Sequence, residues 1–133
     1  MLLRDVLTLT QAQIFSPDPD GQATQEELEG EVQCGAGADL MSDVLCYDIT
    51  HGLLITGLTN PQVIRTAEMA DVAAILLVRG KKLPSETVDL ARQVGIPVVG
   101  TGMTLFEACG RLYQAGLVAP QQYGELNDCG RDT

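Results

Sequence analysis

The fold is decided by residues 52–68, which read GLLITGLTNPQVIRTAE. The apolar run at 53–56 does not alternate with polar residues, which is typical of a strand buried on both faces of a parallel sheet. Asn60 can cap a following helix, and Pro61 suits its first position because proline has no amide hydrogen to leave unpaired. Apolar side chains then recur at helical spacing, at Val63, Ile64, Ala67 and Ala70. We therefore predict a strand that turns directly into a helix.

The same strand-and-helix pattern occurs twice more along the chain. Apolar strands are predicted at 73–78 and 97–100, so that strands start near residues 53, 73 and 97. Their unbroken apolar runs indicate burial on both faces, so helices are expected on both faces of the sheet. The crossovers between the strands are expected to be right-handed. We therefore predict an α/β fold, a three-layer sandwich with a mainly parallel sheet.

The helices after these two strands have recognisable ends. Ser85 is expected to cap the first helix, and Gly95 lies just past its end. Thr104 is expected to begin the second helix, in a capping box with Glu107. Five apolar or weakly polar side chains of this last helix are expected to point inward: Leu105, Phe106, Cys109, Leu112 and Tyr113.

The N-terminal part of the chain is less regular but can complete the sheet. A short amphipathic helix is predicted at 2–8, and strands are predicted at 12–15 and 31–36. Asp39 is expected to cap a helix that runs to about Tyr47. A length of 133 residues predicts a single domain, residues 1–133. Its expected parts are an acidic loop at 16–30, a core at about 31–117 and a polar tail at 118–133.

Charge and cysteine content exclude several kinds of partner. The net charge of −10 would repel phosphate backbones and anionic lipids, so we expect neither nucleic acid nor a membrane as a partner. The four cysteines form no C-x-x-C pair and there is one His, which argues against a zinc or iron–sulfur site; we expect no metal and no cofactor. The first residues lack the apolar stretch of a signal peptide, so we expect a cytoplasmic location.

A family resemblance extends over about residues 31–117. Its motifs are DLMSDVL at 39–45, LLITGLTNPQVI at 53–64, AAILLVRGKKLPSETVDLARQVGIPVVGT at 73–101 and TLFEACGRLYQAGL at 104–117. In the order of its elements and in its last helix the chain resembles the DRTGG domain. The resemblance implies a fold like the N-terminal domain of HPr kinase/phosphorylase, and a regulatory role like that of DRTGG domains beside phosphotransacetylases and CBS-containing pyrophosphatases.

The signature motifs of that family are altered in this chain. Many members have Gly-Asp-Arg after the first strand of this pattern and Thr-Gly-Gly after the second. The first position here reads Leu58-Thr59-Asn60, and the second reads Val78-Arg79-Gly80. The chain therefore resembles a small stand-alone subtype with a Thr-Asn pair.

Polar and basic side chains follow each of the three regular strands. Ligands of parallel α/β sheets bind beyond the carboxyl ends of the strands. Hydroxyls, unpaired helix amides and cations at that edge would suit a nucleotide or another small phosphorylated ligand. The alternative is that Asn60, Ser85 and Thr104 are ordinary caps and that RGKK at 79–82 is a solvated loop. The candidate ligand-binding residues are Thr56, Thr59, Asn60, Arg79, Gly80, Lys81, Thr101, Gly102 and Thr104.

Two classes of function fit these features better than catalysis does. No nucleophile, base and orienting group come together in the sequence, so we expect no enzyme activity and no catalytic residue. The chain has no G-x-x-x-x-G-K-[ST] motif, which argues against a kinase. A regulatory or ligand-sensing domain is the first expectation, and a protein-interaction module with no small ligand, docking a basic partner through its acidic loop, is the alternative. The resemblance, and the apolar surface that a small domain must cover, both imply a homodimer.

Overall fold

The computed structural model describes residues 1–16 and 25–122. Its predicted helices and strands occur in the predicted order, and a helix near residue 25 and two short strands at 47–48 and 121–122 are additional. The helix expected to run to about Tyr47 ends at Val44, because Tyr47 pairs with Gln122 in one of these short strands. The helices are α1 (Leu3–Thr10), α2 (Gln25–Leu28), α3 (Met41–Val44), α4 (Pro61–Ala70), α5 (Ser85–Val94) and α6 (Leu105–Gln114). The strands are β1 (Gln13–Ser16), β2 (Gly35–Gly37), β3 (Tyr47–Asp48), β4 (Leu53–Thr56), β5 (Ala74–Leu77), β6 (Val98–Gly100) and β7 (Gln121–Gln122).

The central sheet has five strands in the order β1-β6-β5-β4-β2. Strands β2, β4, β5 and β6 are parallel, and β1 joins β6 antiparallel at one edge. The short strands β3 and β7 form a separate antiparallel pair. The prediction of a three-layer α/β sandwich with a mainly parallel sheet is confirmed.

Each face of the sheet has its own apolar core, because neighbouring side chains of a strand point to opposite faces. Leu54, Ile75 and Val98 pack on one face with buried residues of α3, α4 and α5. Leu53 and Leu76 pack on the other face with buried residues of α1 and α6. All four residues of β4 and of β5 are buried, as the unbroken apolar runs predict for central strands.

Two of the four predicted helix caps, Asn60 and Thr104, are confirmed. The Asn60 side chain accepts a hydrogen bond from the Val63 amide at 3.2 Å, and Pro61 opens α4. Thr104 accepts from the Glu107 amide at 3.2 Å. The expected Ser85 cap is wrong, because Pro84 holds the N-cap position and Ser85 is the first residue of α5. Pro84 takes that place because its ψ of 150° is not helical, whereas its carbonyl already accepts from the Thr87 and Val88 amides, each at 3.0 Å.

The inward face predicted for α6 is wrong at both aromatic positions. Phe106 is 88% exposed and Tyr113 is 73% exposed, whereas Ala108 and Leu112 are buried. The helix presents its aliphatic side chains and Cys109 to the sheet, and it lies very close to β2. A Cβ added at Gly37 would lie 2.8 Å from the Cys109 sulfur, so glycine at this position of β2 allows α6 to pack closely against the sheet.

The outer segments are described only in part. Residues 17–24 of the expected acidic loop lie outside the described residues, and its end forms helix α2. In the expected polar tail, β7 extends the described chain to Gln122, and the remainder lies outside the described residues. In the described part of the chain, no helix is both long and apolar enough to span a bilayer.

Candidate functional site

The three loops that follow β4, β5 and β6 lie side by side at the carboxyl edge of the sheet. Thr56 pairs with Leu77 at the end of β4 and β5, and Leu77 pairs with Gly100 at the end of β5 and β6. The nine candidate residues are therefore brought to one edge, as their positions after successive strands predict. We refer to this edge, formed by loops 57–60, 78–84 and 101–104, as the strand-end crevice.

The first loop of the crevice is bonded internally rather than open to a ligand. The buried Thr56 hydroxyl donates to Asp39 Oδ1 at 3.0 Å, and the Gly57 amide donates to the same oxygen at 2.8 Å. Asn60 is used as the cap of α4, and the Thr59 carbonyl accepts from the Thr87 hydroxyl at 2.9 Å. Thr56 and Asn60 are therefore structural, and their main hydrogen bonds are already made.

Asp39 also belongs to this crevice, although it is not one of the nine candidate residues. The sequence predicts that Asp39 caps α3, and this prediction is wrong because Leu40 holds the N-cap position. The Asp39 carboxylate accepts from Gly57, at the end of β4, instead. The Gly57 hydrogen bond lowers the pKa of Asp39, with smaller contributions in the same direction from the Thr56 hydroxyl, Arg79 and Lys81, and partial burial opposes them. The carboxylate is thus ionised at neutral pH.

The second loop places a cation against that carboxylate. Arg79 Nη2 lies 3.7 Å from Asp39 Oδ2, and both side chains are nearly half exposed. The guanidinium passes directly over Gly57, where an added Cβ would overlap it, so a side chain at that position would displace the guanidinium. Lys81 and Lys82 are exposed beyond it.

The backbone of the second loop is held by the third. Arg79 and Gly80 both have left-handed backbones, with φ of 65° and 64°, a conformation unusual for arginine. It is fixed by hydrogen bonds from the Arg79 amide to the Met103 carbonyl, at 2.7 Å, and from the Gly80 amide to the Thr101 carbonyl, at 2.9 Å. The basic side chains therefore project from a braced turn.

Thr101 anchors the third loop and does not face a ligand. Its hydroxyl is buried, donates to the Thr10 carbonyl at the end of α1, and accepts from the Met103 amide at 3.2 Å. Gly102 is exposed next to it. Within residues 1–16 and 25–122, the amides of Lys81, Lys82 and Gly102 make no hydrogen bond. These amides, with the three cations, are groups of the crevice that can still receive an anion.

Other parts of the described chain offer less chemistry. A concave surface of about 580 Å³ lies beside β2, and none of the nine candidate residues lines it. No group of three His, Cys, Asp or Glu side chains among the described residues is placed to hold a metal ion.

Comparisons with known proteins bear on the fold. The chain is similar to the crystal structure of the CBS and DRTGG domains of the regulatory region of Clostridium perfringens pyrophosphatase, complexed with the activator diadenosine tetraphosphate. The TM-score is 0.66 at 16% sequence identity, and the match covers 96% of this chain and 51% of that chain. The chain thus spans about half the length of that structure, and the match supports the DRTGG-like fold expected from the sequence motifs. No protein-family model and no curated protein matches the chain.

The Asp39 carboxylate should give the protein a pH-dependent increment of stability. Because its pKa is lower in the folded protein than in the unfolded chain, the increment is present above the unfolded pKa of about 3.9 and is lost as the pH falls through the folded pKa. We expect Asp39→Asn to lower the free energy of unfolding at pH 7 by about 1 kcal/mol or less, since the half-exposed side chain is screened by water. Once the pH has fallen below the folded pKa of Asp39, the two proteins should become equally stable.

Urea unfolding of both proteins between pH 2.5 and 7 measures this difference. Asp89→Asn, which removes one carboxylate from exposed α5, controls for the change in net charge. A difference between wild type and Asp39→Asn that stays constant across the whole range would contradict the assigned role of the carboxylate.

Proposed function

We propose that the chain is a cytoplasmic, non-enzymatic regulatory domain that binds a nucleotide or another small phosphorylated ligand at the strand-end crevice. The observation that carries the proposal is the concentration of positive charge there. Three of the eight Lys and Arg residues of a chain with net charge −10 occur within residues 79–82. Beside them lie the unbonded amides of Lys81, Lys82 and Gly102. Cations and free backbone amides on one surface are the groups that bind phosphate oxygens.

The similarity to a regulatory region adds support to this proposal. The structure named above holds a nucleotide activator, and it shares the fold of this chain. The proposal takes only the class of ligand from that structure, and it places the site on the groups of this chain.

The distribution of reactive side chains supports a binding role over catalysis. Burial raises the pKa of the Cys34 thiol, with a smaller effect from Asp48, and burial also raises the pKa of the Cys109 thiol. Neither thiol is therefore activated as a nucleophile. His51 precedes β4 and so lies at the amino edge of the sheet, opposite the crevice.

Lys81→Ala is the sharpest test of the anion site. Lys81 is exposed and forms no ion pair among the described residues, so its removal should leave the fold intact. We expect Lys81→Ala to weaken the binding of AMP about tenfold or more, because one charge-assisted contact contributes about 1.5–3 kcal/mol. Isothermal titration calorimetry, or the shift of amide NMR signals in loops 78–84 and 101–104, measures the effect.

A matched control is Arg65→Ala, which removes an exposed cation from α4, where Arg65 pairs with Glu68 at 3.6 Å. It should leave AMP binding unchanged. If wild-type protein binds neither AMP, ATP nor pyrophosphate, or if Arg65→Ala weakens binding as much as Lys81→Ala, the proposed site is wrong.

An exposed apolar surface favours a second candidate function, self-association through α6. Phe106 and Tyr113 lie on one side of this helix and flank Gly110, beside which there is open space. We propose that a second copy covers this surface with its own α6 in antiparallel orientation. Glu107 of one copy would then lie opposite Arg111 of the other, so that the contact is neutral in a protein whose overall charge opposes association.

Phe106→Glu should disrupt that dimer. An aromatic residue at the centre of an interface commonly contributes about 2 kcal/mol or more, so we expect the dimer dissociation constant to rise about 30-fold or more. Analytical ultracentrifugation over a range of concentrations measures it. Met69→Glu is the control, since Met69 is a 69% exposed apolar residue of α4, on the other face of the sheet. A wild-type protein that is monomeric at millimolar concentration would refute the proposal.

A further inference from the structure

A carboxylate of the chain itself fills the β4 corner of the strand-end crevice. The Gly57 amide is the first backbone donor beyond β4, where an incoming phosphate would be expected to bind. It already donates to Asp39 Oδ1, as does the Thr56 hydroxyl. A phosphate would have to displace a negative charge from two hydrogen bonds to bind there, and the carboxylate repels it because both are negatively charged. The anion is therefore directed away from β4.

The second oxygen of this carboxylate is left available. Among the described residues, Oδ2 has Arg79 Nη2 as its only partner, at 3.7 Å, which is longer than a normal hydrogen bond. The Asp39 side chain is 41% exposed, so that this oxygen is open to a ligand. An ionised carboxylate accepts hydrogen bonds and donates none. This corner can therefore bind a hydroxyl or an amine, but not an anion.

The two parts of the crevice adjoin each other. Arg79 touches Asp39 on one side and begins the basic loop that carries Lys81 and Lys82 on the other. Lys81 is near enough to lower the pKa of Asp39. A hydrogen-bond acceptor and an anion site thus lie next to each other on one surface.

We infer that Asp39 determines the specificity of this crevice, and that its ligand is a phosphorylated compound that also carries neighbouring hydroxyl groups, as the ribose of a nucleotide does. The hydroxyls donate to Asp39 Oδ2, while the phosphate binds the cations and amides of loops 78–84 and 102–104. Inorganic phosphate or polyphosphate can bind the cations and amides, but it has no sugar hydroxyl group to donate to Asp39. The inference rests on the proposed function, because it assumes that the basic loop binds phosphate.

Three probes separate the two parts of the crevice: AMP, 2′,3′-dideoxyadenosine 5′-monophosphate and pyrophosphate. We expect wild-type protein to bind AMP about tenfold more tightly than the dideoxy compound, since a site built to bond hydroxyls discriminates against an analogue without them. In Asp39→Asn this preference should fall below about threefold, and pyrophosphate should bind more tightly than it does to wild type because the repelling charge is gone. Circular dichroism and thermal unfolding establish that the variant is folded.

The outcomes distinguish the inference from the proposed function. Equal affinity of wild-type protein for AMP and its dideoxy analogue, with both weakened by Lys81→Ala, would refute the role of Asp39 and leave the anion site standing. The same would follow if Asp39→Asn kept the full preference for AMP. Failure of all three probes to bind wild-type protein would overturn both. The comparison of AMP with its dideoxy analogue needs no variant, so it decides the matter even if Asp39→Asn does not fold.

Discussion

Leu76→Ala should lower the free energy of unfolding by about 2–5 kcal/mol. Leu76 is fully buried in β5, the middle strand of the sheet, and packs against the apolar residues of α1 and α6. Truncation to alanine removes its transfer free energy and leaves a cavity that the strands on either side prevent from closing. Chemical denaturation followed by far-ultraviolet circular dichroism measures the loss.

Met69→Ala provides the comparison for this change. Met69 is 69% exposed on α4, so the same kind of truncation should change the free energy of unfolding by less than about 0.5 kcal/mol. Similar losses for the two variants would mean that β5 is not the centre of a packed three-layer sandwich.

Thr101→Val should be the most damaging polar substitution, with a loss of about 1–3 kcal/mol. The buried hydroxyl of Thr101 bonds the Thr10 carbonyl and the Met103 amide, and valine fills the same volume without replacing either contact. Both backbone groups are then left without a partner. Because Thr10 ends α1, the same change should also loosen the attachment of α1 to the sheet.

Two other substitutions separate this effect from that of capping. Thr101→Ser keeps the hydroxyl and should retain most of the stability. Thr104→Val removes only an exposed helix cap and should cost about 1 kcal/mol or less. Denaturation curves rank the three variants by their free energy of unfolding. Hydrogen exchange of the α1 amides measures whether α1 is less firmly attached to the sheet. Thr101→Val that unfolds like wild type would contradict the anchoring role.

The central strands and helices could be predicted because their signals are local. The apolar run of β4 is followed within a few residues by the Asn60 cap and by Pro61. Each of these features is favourable at only one position of a strand-to-helix turn. The three loops of the crevice follow from the same regularity, because every strand of the series ends at the same edge.

The role of Asp39 could not be predicted in this way. A helix cap is a bond across about three residues, whereas the Asp39 carboxylate bonds Gly57, eighteen positions away. Its destination depends on β2 lying parallel to β4, which brings the end of β2 beside the end of β4. Local spacing favours the cap, and tertiary structure overrides it.

The inward face of α6 was mispredicted for a different reason. Apolar and aromatic residues occur around most of this helix, so that spacing alone does not select one face. The orientation of the helix is fixed by tertiary packing, in which Leu105 and Cys109 lie against Gly37 of β2. The two aromatic residues are left outside, and this exposure is what favours a contact with another copy.

The antiparallel edge strand has a consequence for how the protein acquires its structure. Gln13 in β1 pairs with Gly100 in β6, so the first strand of the chain waits for a partner that follows 87 residues later. At ribosomal speeds of about 5–20 residues per second, that interval is roughly 4 to 17 seconds. During this interval β1 has no strand to pair with, and α1 has no completed sheet surface to pack against. The sheet can therefore be closed only after β6 has been synthesised, whereas the β4-α4-β5 unit can assemble earlier.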